Sequence, residues 1–482
     1  MISKYRSTIA AVASVLCLTT MATAEARPPN VLIIAIDDLN DWVGGLVGHP
    51  QAVTPNIDRL AARGVRFDNA HCQAPVCNPS RASMGISLYP SSTGIYFLNP
   101  DILESEPAKT IPTYPHHFQN QGYAVSGAGK LFHGESNKDH LPNWAGNFGG
   151  IGPLPPKKLT NFPGHPLWDW GAYPEKDEQM PDYQIATWGI DALKNTDPSK
   201  PFLLVTGFFR PHVPQYAPQH WLDKFPLESI KLPEVIKGDL DDISPYAIDI
   251  TRLKHVAPTH EWVVEHGEWK NLVRTYLACV AFVDHQVGRV LDALDASGKA
   301  DNTIVILFSD HGFHLGEKER WAKRSLWEDS TRVPLIIAGP GIAKGVDCGK
   351  AVGLIDVYPT LLDLTGQPSP GKLEGISLKP LLKNPQSDWS HMARTEFGPG
   401  NYTLRSERYR YIHYVDGSEE FYDHDSDPNE WHNLIEKSDL KEIIDDHRSQ
   451  KPASHHRVLG KGSTGHDSFE ASEYRLSLPS AK

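Results

Sequence analysis

Four stretches of the chain are nearly unbroken runs of apolar, mostly β-branched residues, and each stops abruptly in polar side chains. VLIIAI (Val31–Ile36) runs into Asp37-Asp38, and YAVSGAG (Tyr123–Gly129) into Lys130. FLLVTGFF (Phe202–Phe209) runs into Arg210-Pro211-His212, and TIVILF (Thr303–Phe308) into Ser309-Asp310-His311-Gly312. A strand with one wet face alternates apolar and polar positions; a run without alternation is expected where helices cover both faces. Helical patterns lie between these runs. NIDRLAARG (Asn56–Gly64), the long stretch Asn271–Gly298 and LIDVYPTLLDLTG (Leu354–Gly366) each end on a glycine suited to a helix C-terminus. Strands alternating with helices predict an α/β fold with a doubly wound, mostly parallel sheet. In such sheets ligands bind beyond the carboxyl ends of the strands. The polar residues that follow each run are therefore expected to meet in one place.

Elsewhere the patterning is different. Residues 141–181 are rich in Pro, Gly and Trp without periodicity and are expected to form a long ordered loop near the cleft mouth. The stretch YTLRSERYRYIHYVDGSEEFYDH (Tyr402–His424) predicts two antiparallel strands around an Asp416-Gly417 turn. The expected organisation is a leader over 1–24, a catalytic domain over 25–370, a smaller C-terminal α+β subdomain over 371–448, and a loosely ordered tail over 449–482.

Composition narrows the class. The chain has 482 residues, of which 40% are hydrophobic and 22% charged, with no sign of a fibre or low-complexity linker. Lys4 and Arg6, the apolar stretch Ser7–Met21 and the small residues Ala22-Thr23-Ala24 have the layout of an export signal, too short to span a bilayer comfortably. Cleavage after Ala24 predicts an exported protein, periplasmic or secreted, with no integral membrane segment. The net charge is −12, and losing Lys4 and Arg6 makes the chain more acidic still. That argues against nucleic acid as a partner, but not against a small anion, since a cluster of cations can reverse the field inside one cleft. Beyond the leader the cysteines are Cys72, Cys77, Cys279 and Cys348, with no metal-type pair and no dense disulfide framework.

The strand-end residues suggest a hard-cation site. Asp37 and Asp38 are adjacent carboxylates, which either bind a cation to offset their repulsion or act as one capping and one solvated residue. Asp310 supplies a third carboxylate. His311 beside it is a poor calcium ligand and a good zinc ligand, so metal identity is open from these residues alone. Lys130 and His133 in GKLFHG, His212 in RPHVP and Lys323 in ERWAKRS would together form a cationic pocket with imidazoles for proton transfer. APVCNPSRASM (Ala74–Met84) places Cys77 before a predicted helix start, with Asn78 as N-cap and Pro79 as first helical residue. A buried inert thiol, a thiolate nucleophile and a modified residue are all open for Cys77 from its position alone.

CNPSR (Cys77–Arg81) resembles the C-x-P-x-R core of the type I sulfatases, in which a modifying enzyme oxidises the cysteine to formylglycine. The resemblance runs from Pro29 to Leu434 through NVLIIAIDDL, GKLFHG, RPHVP, SDHGFHLGE and WAKRSLWEDSTRVPLI. Within the family it is most similar to the iduronate-2-sulfatases. The family's usual L-x-T-G continuation is altered here to MGISLYP. The resemblance implies an alkaline-phosphatase-like fold. It also implies one calcium ion held by Asp37, Asp38, Asp310 and His311, with the modified Cys77 bound to it. Arg81, Lys130 and Lys323 would hold the sulfate and the aldehyde hydrate, His133 would assist the hydrate, and His212 would protonate the leaving alcohol. One hydroxyl of the hydrate would attack sulfur; the second would then lose its proton so that the aldehyde reforms and sulfate is expelled. The implied substrate is a sulfated saccharide, 2-O-sulfated iduronate in a glycosaminoglycan or a related polysaccharide, and the implied maturation partner is a formylglycine-generating enzyme. Two other readings remain at this level: a phosphatase or phosphonate monoesterase of the same architecture, and a non-catalytic binder of sulfated polysaccharide.

Overall fold

The computed structural model describes residues 27–46, 48–134, 136–252, 257–453, 455–463 and 466. The expected leader over 1–24 lies outside them. All four apolar runs are strands of one seven-stranded sheet. Its strands are β1 (Asn30–Ile36), β2 (Gly64–Phe67), β3 (Ala124–Gly129), β4 (Phe202–Phe208), β5 (Thr303–Ser309), β6 (Leu335–Ala338) and β7 (Val346–Cys348). They lie in the order β7-β2-β6-β5-β1-β4-β3. β1 pairs in parallel with β4 and β5, and β4 with β3; β6 is antiparallel to both its neighbours, so the sheet is mixed at one side.

Both faces of β1 are buried, which explains its lack of alternation. Leu32, Ile34 and Ile36 pack into a core shared with α1 (Pro55–Ala61) and the apolar positions of the long helix Trp269–Ala296. Val31, Ile33 and Ala35 pack into the opposite core, which holds Ala82, Met84 and Ile86 of α2 (Cys77–Ile86). In chain order the other helices used below are α3 (Pro181–Lys194), α4 (Trp269–Ala296), α5 (Val357–Thr365) and α6 (Lys441–Ser449). α5 joins α2 on its face of the sheet. Gly298 and Gly366 follow α4 and α5 with φ of +67° and +68°, the left-handed conformation expected of them.

Gly64 differs from its expected role as the stop of α1. That helix ends at Ala61, and Gly64 opens β2. A Cβ there would lie 2.2 Å from the carbonyl oxygen of Ile337, so glycine serves the close approach of β6.

The segment 402–424 holds three strands rather than two. The small antiparallel sheet runs β8 (Ala393–Glu396), β9 (Tyr402–Arg405), β10 (Tyr409–His413) and β11 (Glu419–Asp423) in sequential order. A turn over 406–408, closed by the Ser406 amide on the Tyr409 carbonyl at 2.9 Å, separates β9 from β10. One face packs under Ile444 of α6. The other presents Ile412, Tyr414 and Tyr422 to Val76, Leu326 and Trp327, the residues flanking Cys77 and the Lys323 loop. The small sheet thus buttresses the strand-end loops. The expected loose tail is held where it is described: the His456 amide donates to Ser91 O at 2.7 Å, the Leu459 amide to Gly94 O at 3.0 Å, and buried His466 packs on Phe97. Cys72, Cys77, Cys279 and Cys348 are free and buried. Among the described residues no helix is long and apolar enough to cross a membrane.

Candidate active site

The carboxyl ends of β1, β3, β4 and β5 converge. Asp37 continues β1 by donating its amide to Phe208 O at 3.1 Å. Asp38 then takes a left-handed conformation (φ 61°), turning the chain so that its amide meets Asp310 Oδ1 at 3.2 Å. Ser309 Oγ accepts from the Leu39 amide at 2.9 Å, and Tyr276 on α4 donates its hydroxyl to Asp38 O at 2.8 Å. On β3, Gly129 (φ +75°) makes the turn into Lys130, whose amide bonds Gly207 O at 2.9 Å.

α2 enters from the other side, and every residue of it is buried. The helix begins at Cys77 itself, two residues earlier than expected, with Val76 at the cap position. Asn78 is not the cap: its amide group donates to the carbonyls of Phe97 and Pro100 at 3.0 and 2.9 Å. Cys77 therefore stands on the first helical turn, where backbone N–H groups lack intrahelical partners and favour an anion.

The site residues meet as a compact charge lattice. Arg81 donates Nε to Asp310 Oδ2 at 2.7 Å and Nη2 to Asp37 Oδ1 at 3.0 Å, and its Nη1 reaches the carbonyls of Lys130 and Leu131. Lys130 Nζ lies 2.6 Å from Asp37 Oδ2. Lys323 Nζ lies 2.6 Å from Asp38 Oδ1 and 3.2 Å from Cys77 Sγ. His311 Nε2 is 3.3 Å from Cys77 Sγ and from Asp38 Oδ1, and 3.5 Å from Asp310 Oδ2. His133 lines the same cavity as the Cys77 sulfur, and its Nδ1 is buried without a hydrogen-bond partner among the described residues. His212 Nδ1 donates to Val213 O, leaving Nε2 free toward the cavity, 3.9 Å from Asp38 Oδ2.

These contacts set the proton affinities. Burial pushes the Cys77 thiol up, but Lys130, Lys323 and His311 outweigh it and hold the group well below the ordinary thiol range. Burial likewise opposes ionisation of Asp37, and Lys130 overcomes it. Lys323 is desolvated yet raised, because Asp38 sits against it.

A divalent cation fits this site. One ligand atom from each of Asp37, Cys77, Asp310 and His311 lies within 4.8 Å of the others. Asp38 Oδ2 is buried without any hydrogen-bond partner among the described residues. His311 donates Nδ1 to Gly312 O at 3.0 Å, which aims Nε2 at three acidic atoms, an arrangement that calls for a proton or a metal. Above the lattice opens a cavity of about 700 Å³ whose lining includes Asp38, Cys77, His133, His212 and Lys323.

All ten expected site residues are thus brought together. Several others were not anticipated. Tyr276 holds the Asp38 turn together with Ser309, itself one of the expected strand-end residues, and Trp168, Trp321, Arg320 and Arg324 line the cavity. The density of cations around Lys323 in KERWAKR was the one signal for the arginines that the sequence offered.

The chain is similar to known proteins along most of its length. Residues 29–367 match the sulfatase family model, and residues 316–453 match that of the N-sulphoglucosamine sulphohydrolase C-terminal region. A sulfatase of Formosa agariphila is 43% identical over 436 residues, covering 87% of this chain and 86% of the relative. Human iduronate 2-sulfatase is 31% identical over 390 residues, covering 75% and 70%. The solved structure of a 2-O GAG sulfatase superposes with a TM-score of 0.63 at 25% identity, covering 88% of this chain and 91% of that one.

Proposed function

The chain belongs to the sulfatase family, whose members hydrolyse sulfate esters, and we propose that it removes the 2-O-sulfate of a uronate, iduronate foremost, in a glycosaminoglycan or related polysaccharide. The observation that carries this reading is the convergence of Asp37, Asp38, Cys77, Asp310 and His311 at one set of strand ends, with Lys323 on the Cys77 sulfur.

Charge balance explains why these residue types are needed. Three buried carboxylates, Asp37, Asp38 and Asp310, face two buried cations, Arg81 and Lys130, and the partly exposed Lys323. A divalent ion, with calcium the proposed identity, would be held by the three carboxylates, His311 and the modified Cys77. It would supply Lewis-acid stabilisation and tip the pocket toward positive charge. A formylglycine made from Cys77 would supply a hydrate, a nucleophile that can shed sulfate without a second attack on sulfur. Lys323 and Lys130 would orient the anion, and Arg81 would lock the carboxylates that they face. His133, which lines the cavity with Cys77, is placed to hold or take a proton there. His212 Nε2 is placed to give one to the leaving sugar oxygen.

Conversion of Cys77 by a formylglycine-generating enzyme and export to the periplasm or beyond complete the proposal. The test is sulfate release from defined sulfated disaccharides by protein co-expressed with such an enzyme, beside the mass of the Cys77 peptide. Release from 2-O-sulfated uronates in proportion to the converted fraction supports the reading. Release only from N- or 6-O-sulfated hexosamines, or full activity with intact Cys77, overturns it.

A further inference from the structure

Beyond the scissile sulfate, we propose that Arg320 and Arg324 form a second anion subsite that grips a carboxylate or second sulfate on the same saccharide. This inference rests on the saccharide reading above and names the feature by which the cavity selects its substrate.

Both side chains line the wall of the cavity whose floor carries Cys77. Arg324 is only 6% exposed. Its Nη1 is buried with no hydrogen-bond partner, as is Nε of Arg320, and neither side chain forms an ion pair among the described residues. Cys77 and Asp38 on the cavity floor act on Arg324 without bonding it, and a buried guanidinium whose five donors lack acceptors is costly. The two are also adjacent: Arg252 and Arg324 both act on Arg320, which burial first of all lowers to about 9. Acidic groups do share the wall, namely Asp249, Glu261 and Glu319, but Glu319 is engaged by Arg252 at 3.5 Å.

The backbone adds a second observation. Ala322 and Arg324 both have φ of 78°, left-handed values unfavourable for residues with a Cβ. These two kinks flank Lys323, whose Nζ contacts Asp38 and the Cys77 sulfur. One strained turn thus presents consecutive cations: Lys323 to the reacting centre, Arg324 to the cavity wall. A planar fork suits a carboxylate, which it can bind through two parallel hydrogen bonds; a sulfate ester offers the same acceptors. A uronate sulfated on its ring carries both anions at once.

The experiment measures competitive inhibition of aryl-sulfate hydrolysis by three unsulfated or monosulfated probes. These are a uronate disaccharide, its carboxyl-reduced counterpart, and a hexosamine monosulfated at a position the enzyme does not cleave. Wild type is expected to bind the uronate at least tenfold more tightly than the reduced form. Arg324→Gln and Arg320→Gln are expected to erase that preference, raising the uronate Ki about 10- to 100-fold. If the sulfated hexosamine loses affinity instead, the second anion is a sulfate. Equal binding of charged and reduced disaccharides by wild type, or an unaltered ratio in both variants, overturns the subsite. Arg320→Gln, on a less buried side chain, provides the same comparison should Arg324→Gln fail to fold. Failure to cleave any 2-O-sulfated uronate would overturn the substrate reading without touching these inhibition constants. Should no sulfate ester turn over at all, calorimetric binding of the same three probes decides the subsite by the same ratios.

Discussion

Arg81→Met separates holding the site together from reacting in it. The guanidinium is fully buried and makes four hydrogen bonds, two of them to carboxylates that are themselves fully buried. Methionine fills much of the volume but, among the described residues, leaves Asp310 with His311 at 3.5 Å as its one ion-pair partner, and Asp37 with Lys130 at 2.6 Å. Breaking a buried pair from one side costs about 3–5 kcal/mol. Unfolding entropy of roughly 2.1 cal/mol/K per residue sums to about 1 kcal/mol/K for a chain this size. The melting temperature is therefore expected to fall by about 3–5 °C in chelator. Cys77→Ala, four residues earlier on the same helix, removes one sulfur atom that bonds only tips of side chains. Its cost is on the order of 1 kcal/mol, or about 1 °C. Both variants are expected to lose sulfate-ester hydrolysis. Differential scanning calorimetry at one scan rate, with and without calcium, reads the difference. Excess calcium should recover part of the Arg81→Met loss, because a cation offsets the same carboxylates. If Arg81→Met melts within about 1 °C of wild type, or Cys77→Ala falls as far as Arg81→Met, the charge-lattice account is wrong.

Chelation itself should lower the wild-type melting temperature by about 3 °C relative to calcium at a hundredfold excess over its dissociation constant, and Asp38→Asn should shrink that difference. For His212→Ala, kcat on a sugar sulfate should fall about 10²- to 10⁴-fold, and much less on an aryl sulfate whose leaving group needs no proton; equal losses would remove the acid role. A pH effect follows from Asp182 at the start of α3. It is buried and held at about 6, because desolvation outweighs Arg210 and the amides of Phe209 and Arg210 that it accepts. Its folded form keeps a proton that the unfolded chain releases near 3.8, so its contribution favours folding below 3.8 and is lost as pH rises through 6. Relative to wild type, Asp182→Asn should therefore gain up to about 3 kcal/mol, or about 3 °C, between pH 3.5 and pH 7; a flat difference would contradict the shift.

The central strands were legible because physics leaves a coarse mark there. A strand buried on both sides must be almost wholly apolar, and β1, β4 and β5 are, with polar side chains only at Asn30, Thr206, Thr303 and Ser309. The departures share one cause: a local signal served a long-range contact instead. Gly64 resembles a helix stop but accommodates the Ile337 carbonyl of a strand 273 residues later in the chain. Asn78 resembles a cap but ties α2 to the Phe97–Pro100 loop. The turn between β9 and β10 lacks glycine and proline and is closed by Ser406, so nothing in its composition announced it.

The same limit applies inside the site, where membership was legible and pairing was not. An apolar run ending in a charge shows which end of the sheet that charge occupies. It does not show that Arg81 bridges Asp37 and Asp310 across two strands, or that Lys323 arrives on Asp38 from 285 residues away. Those pairings change the roles. The residues expected to hold the substrate anion are engaged by the carboxylates expected to hold the cation, so a bound cation and a bound anion would be coupled through shared partners. Asp37 and Asp38, which hold Lys130 and Lys323, would be shared with any cation bound in the lattice, and each lysine so released would be available to the anion. Substrate binding should then depend on metal through these two lysines more than through direct contact. Lys130→Gln and Lys323→Gln are the substitutions in which the dependence of KM on calcium should flatten.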